Sequence, residues 1–567
     1  MQPTRRSVLG WGLTGSLLAT GVSGGSVSAP SSGKLVGGGF IRDQEGLLSA
    51  IKAAMVEELG RSGAPGMTLA LTAPSGFGAT LVAGYADLAA RAPVLAEHRF
   101  QIGSISKAFL ALAVYILADR ELLALNADVR SLLPDVEWPD QAITIEQLLN
   151  HSSGLPTNAP IFPRTTSGKL WTGYAPGTRF SYCNTGYNIL AFVVAKVTGK
   201  AFPETLKTLV LDPLAMNAAK PAILTADRTS YPTSYIPLEE NLPYFAGNAL
   251  APAPWLEDDI GAGSIGATAA DMVRFIAFLA RASSGDFAPL LRSEQGRRWL
   301  TPVIAAPQFG DGVSYANGLA IQRIGSDNWL SHTGGTYSYS SAHVVNMTSR
   351  VGCFASVNFG RTPYRPKAFA RRAAQMVEAV ILRKALPVSN AATAGEPDRE
   401  RGRTGTYASP ELGMLKVLAT ADGLTVEFDG QRWRTARISN SDYWVRHPRL
   451  GEHYLSFGGP GELWWGGLPL GRGGASVAPA SSPALAQYAG RYRNNDPWWD
   501  PVSIVVRSEK LIMEGSGELV RHGDGSWRFA DPALAMERIW FDAPLNQQMS
   551  RLSFSGNDFI RNVAYPG

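Results

Sequence analysis

The sequence has few cysteines and histidines. Its 567 residues include two cysteines, Cys183 and Cys353, and seven histidines. Two cysteines cannot build the multi-bridge framework of small secreted domains, although one disulfide between them stays open. Both lie in apolar or aromatic runs, which favours two buried thiols, because a free cysteine packs as a small hydrophobic side chain. The histidines do not fall at metal-ligand spacings such as H-E-x-x-H, so no metal site is expected.

Strong net charge and long apolar runs are missing as well. The formal net charge of +5 is too small to predict nucleic-acid binding. The densest basic cluster, which has no interleaved aromatic residues, consists of Arg371, Arg372, Arg383 and Lys384. A bilayer core needs about 20 consecutive apolar residues, and no stretch beyond the N-terminus is that long. We therefore expect the mature chain neither to bind nucleic acid nor to insert stably into a membrane.

The N-terminus carries a pattern typical of an export signal. Arg5 and Arg6 form a twin-arginine pair, a mildly apolar stretch follows, and small residues end the segment at Ala29. These features predict a cleaved twin-arginine signal peptide over residues 1–29. Glycine and threonine interrupt the apolar stretch, which argues against the alternative of an uncleaved anchor. A mature chain that begins near Pro30 would be periplasmic or secreted.

The first two thirds of the mature chain mix helical and strand patterns. Hydrophobic residues make up 45% of the sequence and charged residues 17%, which is typical of a globular protein. At about 150 residues per domain, the length predicts three or four domains. A nearly all-apolar helix is predicted to begin near Ser104, and further helices flank strand-like runs. The pattern predicts an α/β domain over residues 38–386, with strands at 67–72, 79–85, 341–347 and 351–358.

The rest of the chain has the pattern of an all-β tail. Short alternating runs are separated by turn pairs such as Asp422-Gly423. Gly405-Thr406-Tyr407 and Gly490-Arg491-Tyr492 open two similar stretches, which is a weak internal repeat. Two small antiparallel barrels account for this repeat better than one sandwich. The predicted segments are a linker at 387–402, a barrel at 403–473, a linker at 474–484 and a barrel at 485–567.

Ser104 and Lys107 form the first candidate catalytic pair. They stand three residues apart, so a helix places the hydroxyl and the amine on one face within hydrogen-bonding reach. A serine becomes a nucleophile when a base takes its proton, and burial lowers the pKa of a lysine enough for that role. Lys107 is the only cation between Arg99 and Arg120, which favours a function. Taken alone, S-x-x-K also occurs by chance in many chains.

Two further motifs lie downstream. Tyr182-Cys183-Asn184 follows a Pro-Gly turn, and a phenol near a cation is expected to ionise below its usual pKa of about 10, which makes Tyr182 a second candidate base. His332-Thr333-Gly334-Gly335 lies on a strand-like segment, where glycine lets a substrate approach the backbone. The amides of Gly335 and Ser104 would stabilise a tetrahedral oxyanion by about 3 kcal/mol per donor. The structural alternatives are aromatic packing for Tyr182 and a simple bulge for the glycine pair.

The ordered motifs S-x-x-K, Y-x-N and His-Thr-Gly resemble those of the serine β-lactamase and penicillin-binding protein superfamily, especially its class C-like branch. The similarity extends over about residues 40–385 and includes FQIGSISKAF, TIEQLLNHSSGLP, YAPGTRFSYCNTGYNILA, GAGSIGATAADMVRF and SHTGGTYSYSS. It implies an α+β catalytic domain, here followed by two lipocalin-like barrels, and no metal or organic cofactor. His151, in LLNHSSGLP, is interpreted as part of a turn, and Cys183 is not interpreted as a nucleophile.

The resemblance also implies a role for each motif residue. Ser104 would be the acylated nucleophile, Lys107 the proton acceptor and Tyr182 a general base or acid. Asn184 would orient the substrate amide, and Gly335 would supply an oxyanion-hole amide. His332 stands where many relatives carry lysine. Because histidine is largely neutral near pH 7, this substitution weakens the electrostatic case for β-lactams and for peptides with a free C-terminus.

These features favour an exported serine hydrolase that acts on small amides or short peptides with a D-residue. A His-x-Gly motif followed by two barrels is similar to the D-aminopeptidase arrangement. The alternatives are a carboxylesterase or a class C-like β-lactamase and, in another class, a non-catalytic sensor that binds cell-wall fragments. A small-molecule or short-peptide substrate is the partner that we expect. The sequence leaves the oligomeric state open, a dimer included.

Overall fold

A computed structural model describes residues 30–561, apart from 37, 40, 42, 165–167, 239–248, 363, 388–401, 421–422, 460 and 474–481. The predicted signal peptide, 1–29, lies outside the described residues, and so does most of each predicted linker. Within the described part of the chain, no helix has the length and apolar character needed to cross a bilayer.

An antiparallel sheet forms the centre of the N-terminal domain, as predicted. The strands of this domain are β1 (Ser31–Leu35), β2 (Gly66–Ala73), β3 (Phe77–Asp87), β4 (Ala92–Pro93), β5 (Phe100–Gln101), β6 (Tyr235–Pro237), β7 (Leu250–Pro252), β8 (Gly266–Ala267), β9 (Ile304–Ala305), β10 (Val313–Tyr315), β11 (Ala320–Ile324), β12 (Asp327–Gly335), β13 (Ser340–Asn346) and β14 (Gly352–Val357). The sheet order is β1-β3-β2-β14-β13-β12-β11-β10-β9, with β4 on β3. Two small two-stranded sheets, β5-β8 and β6-β7, lie apart from it.

Helices cover both faces of this sheet. They are α1 (Gln44–Ser62), α2 (Ser106–Asp119), α3 (Val129–Leu132), α4 (Ile145–Leu149), α5 (Asn184–Thr198), α6 (Phe202–Leu206), α7 (Ala269–Ala282), α8 (Ser293–Leu300) and α9 (Lys367–Ile381). Side chains alternate across a strand. Val345 and Phe354 therefore join the core that contains α2 and α7, and Val344 and Cys353 join the core that contains α1 and α9.

The start of α2 differs from the prediction. The α-helix begins at Ser106, and Ser104 lies in a 3-10 turn, Gly103–Ile105, directly before it. From Ala108 to Leu117 the helix is buried on every side, as its all-apolar sequence predicts. Ser104 thus lies directly before the N-terminus of a buried core helix, in a backbone turn that leaves its side chain partly exposed.

The C-terminal tail forms two closed eight-stranded antiparallel barrels, which confirms the predicted architecture. The first barrel contains β15 (Gly405–Ser409), β16 (Gly413–Thr420), β17 (Gly423–Phe428), β18 (Gln431–Arg437), β19 (Asp442–Val445), β20 (Leu455–Phe457), β21 (Leu463–Trp465) and β22 (Leu468–Arg472). The second contains β23 (Gly490–Arg493), β24 (Val502–Arg507), β25 (Lys510–Met513), β26 (Gly517–Arg521), β27 (Trp527–Phe529), β28 (Ile539–Leu545), β29 (Gln548–Phe554) and β30 (Asn557–Arg561).

The two tyrosines of the sequence repeat occupy equivalent places in the two barrels. Tyr407 lies on the first strand of one barrel and Tyr492 on the first strand of the other, and both are buried. Each hydroxyl donates to the carbonyl four residues earlier, at Arg403 (3.1 Å) and at Tyr488 (2.8 Å). The weak repeat therefore marks the start of a repeated structural unit.

The second barrel packs against the N-terminal domain through Trp171. Its indole Nε1 donates to the carbonyl of Met536 (2.7 Å), and its ring meets Trp540 edge to face, with 5.2 Å between ring centroids. The Arg538 guanidinium lies 5.2 Å from the centre of the Trp171 ring. Near the end of β12, Arg361 pairs with Asp500 of the same barrel. These contacts hold the second barrel beside the segment that leads to Tyr182.

Candidate active site

The structure brings Ser104 and Lys107 together as the spacing predicts. Nζ of Lys107 lies 3.1 Å from Oγ of Ser104 and donates to the carbonyl oxygen of Ala262 (2.8 Å). Ser104 is partly exposed, whereas Lys107 is fully buried. Burial lowers the pKa of Lys107 to about 7, although the negative charge of Asp258 opposes that shift. A neutral amine is therefore available near neutral pH to accept the serine proton.

Tyr182 differs from the prediction in its ionisation. Its phenol interacts with the side chain of Ser104, and Nζ of Lys107 lies 5.0 Å from the centre of its ring. Burial nevertheless raises the pKa of Tyr182 well above its usual value. The prediction of a phenol that ionises easily was wrong, because desolvation of the phenolate outweighs the interaction with Ser104 and the positive charge of Arg365. Tyr182 is suited to donating or relaying a proton, and Lys107 is the stronger candidate for the base.

His332 lies on β12 and lines the cavity above Ser104. Its Nδ1 is 2.7 Å from the carbonyl oxygen of Thr333, and its Nε2 is 3.1 Å from the hydroxyl of Tyr315. A proton on Nδ1 and an acceptor at Nε2 satisfy both contacts with a neutral ring. Burial and the Lys107 charge hold the pKa of His332 well below its usual value. His332 therefore contributes no positive charge, as the sequence predicts, and protein groups already engage both of its nitrogens.

The predicted oxyanion amide is beside the nucleophile. Gly335 ends β12 and lines the same cavity as Ser104. Gly103, next to Ser104, has a φ of +52°, and a Cβ added there would lie 2.7 Å from the amide nitrogen of Gly335. Only a glycine leaves room for this approach of two backbones. The arrangement brings the amides of Ser104 and Gly335 to one wall of the cavity.

Asn184 begins α5, and its amide nitrogen donates to the side-chain oxygen of Asn158 (2.7 Å). Its own amide oxygen is buried, with no partner in the part of the chain that the structure describes. An unpaired buried acceptor has a free-energy cost unless a ligand or water satisfies it. The predicted role of Asn184, which is to accept from a substrate amide, stays a prediction that this unpaired oxygen favours.

Two residues of the motif segments, His151 and Cys183, have structural roles. The buried Nδ1 of His151 accepts from the amide of Cys183 (3.0 Å), and its ring centroid lies 4.4 Å from that of Tyr182. Sγ of Cys183 accepts from the amide of Gly186 (3.2 Å) at the start of α5. Burial raises the pKa of the Cys183 thiol to about 12, so this thiol is no nucleophile. Both cysteines are free and buried.

No sequence motif marks the cations that line the cavity. The cavity has a volume of about 450 Å³, and its lining contains Ser104, Tyr182, Gln308, Phe309, His332, Thr333, Gly335, Arg365 and Lys367. Lys367 is the first residue of α9, and Arg365 lies two residues before it. The Arg365 guanidinium lies against Gly335, where an added Cβ would be 2.4 Å from its Nη2. A site without a motif lysine thus has positive charge from another element.

No sequence motif marks Asp258 either. An added Cβ on Gly263 would lie 3.2 Å from Oδ2 of Asp258 and 3.8 Å from Cα of Gly103, so this carboxylate is beside the serine turn. Its Oδ1 accepts from the amide of Ile260 (3.0 Å). Burial raises the pKa of Asp258 to about 6. An isolated aspartate in a loop gives no sequence signal, because only the fold brings residue 258 to residue 103.

The second barrel supports the segment that carries Tyr182 and Asn184. The buried carboxylate of Glu537 accepts from the amide of Thr157 (3.0 Å) and from the hydroxyl of Ser555. The carbonyl of Thr157 in turn accepts from the amide of Asn184 (2.8 Å). A side chain of the C-terminal barrel is thus two hydrogen bonds away from the start of α5.

Comparisons with known proteins identify the family of the chain. A sequence profile of the Beta-lactamase family matches residues 51–376, which is more than half of the chain. The chain is 26% identical over 281 residues to a penicillin-binding protein of Bacillus subtilis, covering 46% of this chain and 60% of that protein. It is 26% identical over 372 residues to a D-aminopeptidase of Cereibacter sphaeroides, covering 61% of this chain and 64% of that protein. The chain thus spans less than two thirds of the length of these relatives.

Solved structures share the fold. An octameric penicillin-binding protein homologue from Pyrococcus abyssi has a TM-score of 0.53 and 20% identity, covering 75% of this chain and 99% of that one. A mutant class C beta-lactamase has a TM-score of 0.50 and 16% identity, covering 60% of this chain and 98% of that one. With Ser104, Lys107 and Tyr182 assembled as the motifs predict, these findings support a serine hydrolase of the serine β-lactamase and penicillin-binding protein superfamily. Because the family profile covers the whole segment that builds the site, the chain belongs to the Beta-lactamase family.

Proposed function

We propose that the chain hydrolyses small amides or short peptides that contain a D-residue, through an acyl-enzyme on Ser104. The observation that carries the proposal is the buried amine of Lys107, 3.1 Å from Oγ of Ser104, with a pKa lowered to about 7. A nucleophile needs such a base within hydrogen-bonding distance. The complete set of Ser104, Lys107 and Tyr182 argues against the alternative of a non-catalytic sensor.

The reaction follows from the positions of these groups. Neutral Lys107 takes the proton of Ser104 as Oγ attacks the substrate carbonyl carbon, and the amides of Ser104 and Gly335 stabilise the oxyanion. The protonated phenol of Tyr182 passes a proton to the leaving amine and regains one from protonated Lys107. Water then attacks the ester, the same groups carry its proton, and Ser104 is released as the free hydroxyl.

Two observations support the D-residue substrate. Four of the matched relatives are called D-aminopeptidases, at 26–27% identity. An aminopeptidase must hold a substrate ammonium, and the carboxylate of Asp258 lies beside the serine turn. The third motif supplies a neutral histidine, so it does not repel that ammonium.

A second candidate substrate is one that bears a carboxylate, such as a β-lactam or a peptide with a free C-terminal D-residue. Arg365 and Lys367 favour it, because both line the cavity and a guanidinium binds carboxylates in a bidentate manner. The two candidates predict different effects of Arg365→Ala. This change should reduce kcat/KM about tenfold or more for a chromogenic cephalosporin, because the cephalosporin carboxylate loses its guanidinium partner. It should leave kcat/KM for a D-alanine anilide, which has no carboxylate, unchanged.

The deciding experiment compares D-alanine p-nitroanilide, its L-isomer, its N-acetyl derivative and a chromogenic cephalosporin. The proposal predicts the highest kcat/KM for the free-amine D-anilide, and a mass increase on Ser104 in the trapped intermediate. Ser104→Ala should abolish both while leaving the thermal unfolding temperature unchanged within a few degrees. Ser106→Ala is the control for the motif, because the buried Oγ of Ser106 accepts from the amide of Ile265 (3.1 Å) and has a structural role. It should lower the unfolding temperature without abolishing the acyl-enzyme. Hydrolysis by the Ser104→Ala variant, or preference for the L-anilide, would overturn the proposal.

We also propose that the chain is exported by the twin-arginine route. The support is the pattern of residues 1–29, which lie outside the described part of the chain. Replacing Arg5 and Arg6 by lysine should trap the precursor in the cell, because the receptor reads the paired arginines and lysine lacks their planar fork. Cell fractionation followed by N-terminal sequencing tests this, and normal export of the double variant would contradict it.

A further inference from the structure

A second cavity, of about 490 Å³, lies between the two barrels. This volume is in the range of cavities that bind small ligands, which often lie between domains. None of its lining residues lines the cavity at Ser104. The lining consists of Trp433, Trp444, Arg446, His447, Pro448, Gly451, Glu452, His453, Tyr454, Arg491, Pro501, Ser503 and Glu514.

A buried carboxylate joins the two barrels at this cavity. Glu514 of the second barrel accepts from Nδ1 of His453 in the first barrel (2.8 Å) and from the amide of Tyr454 (3.3 Å). Arg507 donates to the same carboxylate (3.4 Å) and to the carbonyl of Gly466 (2.6 Å) across the interface. These bonds fix the walls of the cavity relative to each other, so its shape is largely formed before a ligand binds.

The aromatic part of the lining offers carbon surface rather than free polar atoms. The indole N–H of Trp433 donates to the carbonyl of Phe428 (3.1 Å), and that of Trp444 donates to the carbonyl of Gly451 (3.1 Å). Nδ1 of His447 accepts from the amides of Arg449 and Leu450, both at 3.1 Å. The proton of a neutral His447 ring therefore lies on Nε2, which is a donor. The aromatic rings can pack against an apolar face of a ligand, such as the C–H face of a sugar ring.

The polar part of the lining combines a free donor with free acceptors. Arg491 is exposed and lines the cavity, and within the described residues its guanidinium makes no hydrogen bond or ion pair. The carboxylate of Glu452, on the opposite barrel, is likewise exposed and unpaired among those residues. Ser503 adds a hydroxyl. Hydroxyl-rich ligands use such mixed donors and acceptors, and the guanidinium of Arg491 adds a site for one ligand carboxylate.

We propose that the inter-barrel cavity binds an acidic saccharide. Trp433 and Tyr454 pack against the C–H faces of its rings. Arg491 binds the sugar carboxylate through two parallel N–H bonds, the geometry in which guanidinium and carboxylate interact most strongly. Glu452 and Ser503 accept from and donate to the ring hydroxyls. This inference concerns a surface away from Ser104 and does not depend on the proposed hydrolytic activity.

The test is a calorimetric titration of the full chain with trigalacturonic acid, and with the neutral sugar chitotriose for comparison. We expect saturable binding of the acidic trimer and at least tenfold weaker binding of the neutral one. Arg491→Ala should weaken binding of the acidic trimer about tenfold or more, and Trp433→Ala should weaken both sugars. Arg493→Ala is the matched control, because Arg493 is exposed on the same strand and does not line the cavity.

Three results would overturn the proposal: no binding of the acidic trimer at millimolar concentration, equal binding of the two sugars, or equal losses in the Arg491→Ala and Arg493→Ala variants. Far-ultraviolet circular dichroism and the thermal unfolding temperature of each variant show whether it remains folded. If Trp433→Ala unfolds the first barrel, Glu452→Gln replaces it. That variant keeps the shape of the side chain but removes a negative charge and an acceptor, so it should weaken chitotriose more than the acidic trimer, for which the loss of repulsion offsets part of the lost hydroxyl contact.

Discussion

At the scale of single residues, burial decides what the site can do. Lys107 and Tyr182 are neighbours, and desolvation disfavours the charged form of each. For lysine this lowers the pKa to about 7, and for tyrosine it raises the pKa well above the usual value. The same physical cause therefore makes the lysine a better base and the tyrosine a worse one. Burial lowers the pKa of His332 as it does that of Lys107, so the imidazole stays neutral.

The first prediction concerns pH. Lys107 must be deprotonated to act as a base, so kcat/KM for acylation should rise with pH and reach half its maximum near pH 7. Below that pH the amine gains a proton and the rate should fall about tenfold per pH unit. A stopped-flow measurement of acylation between pH 5 and 9 tests this. A rate that is constant across pH 6–8 would exclude Lys107 as the titrating base.

The second prediction concerns Asp258, whose charge is the largest electrostatic influence that raises the pKa of Lys107. Asp258→Asn removes that charge, so the pKa of Lys107 should fall and the midpoint of the acylation profile should move to lower pH. The same change should weaken selection for a free amine over its N-acetyl derivative. Asp259→Asn is the matched control, since Asp259 is exposed next to it. Equal shifts in the two variants would contradict a specific role for Asp258.

At the scale of elements, a turn rather than a helix holds the nucleophile. The 3-10 turn Gly103–Ile105 depends on a positive φ at Gly103 and on the close approach of Gly335. This turn is where the strand β12 and the helix α2 meet. The position of Ser104 relative to the oxyanion amides therefore depends on a contact between two elements that are distant in sequence.

The third prediction is that Gly103→Ala reduces acylation at least a hundredfold. The new methyl group would lie 2.7 Å from the amide nitrogen of Gly335, and alanine at φ +52° adds about 1 kcal/mol or more of backbone strain. The oxyanion amides would be displaced, so kcat should fall more than KM rises. Gly60→Ala is the control, because an added Cβ there meets no atom within 4 Å. Full activity in Gly103→Ala would show that the approach of the two backbones is not needed.

At the scale of the whole molecule, the second barrel and the catalytic domain share an interface that reaches the site. Trp171 is 5% exposed and bonds to Met536, and Glu537 bonds to the segment that leads to Asn184. A buried interface tryptophan is typical of a residue that carries much of the binding energy between two surfaces. The barrel is therefore expected to stabilise the geometry of the site as well as its own attachment.

The fourth prediction is that Trp171→Ala loosens this interface at a cost of about 2–4 kcal/mol. Hydrogen exchange should increase over residues 531–541 and 156–184, and kcat/KM should fall while the pH midpoint stays near 7. Trp498→Ala is the matched control, since Trp498 belongs to the same barrel but is 46% exposed. An unchanged exchange rate in both segments would show that Trp171 does not hold the interface.

Much of the local structure could be predicted from the sequence. Periodicity gave α2, α7 and the β13–β14 hairpin, because burial of one face imposes a repeat on the residues of that element. The S-x-x-K spacing identified the Ser104–Lys107 pair for the same reason, since a helical turn alone brings positions three apart together. A threonine directly before a helical run is a typical cap, and Thr268 caps α7 through a capping box with Asp271. The repeated Gly-x-Tyr openings marked both barrels.

What only the tertiary structure decided is which distant residues share a site, and how burial changes them. Arg365, Asp258 and Glu537 carry no motif, because their roles depend on contacts between segments far apart in sequence. The ionisation of Tyr182 could not be predicted either, since a pKa reflects the balance between desolvation and charge at one point in space. By itself the sequence determined most of the elements, the family motifs and the candidate nucleophile. The fold determined the charge of the cavity and the support that the second barrel gives to it, because both depend on distance in space rather than on order along the chain.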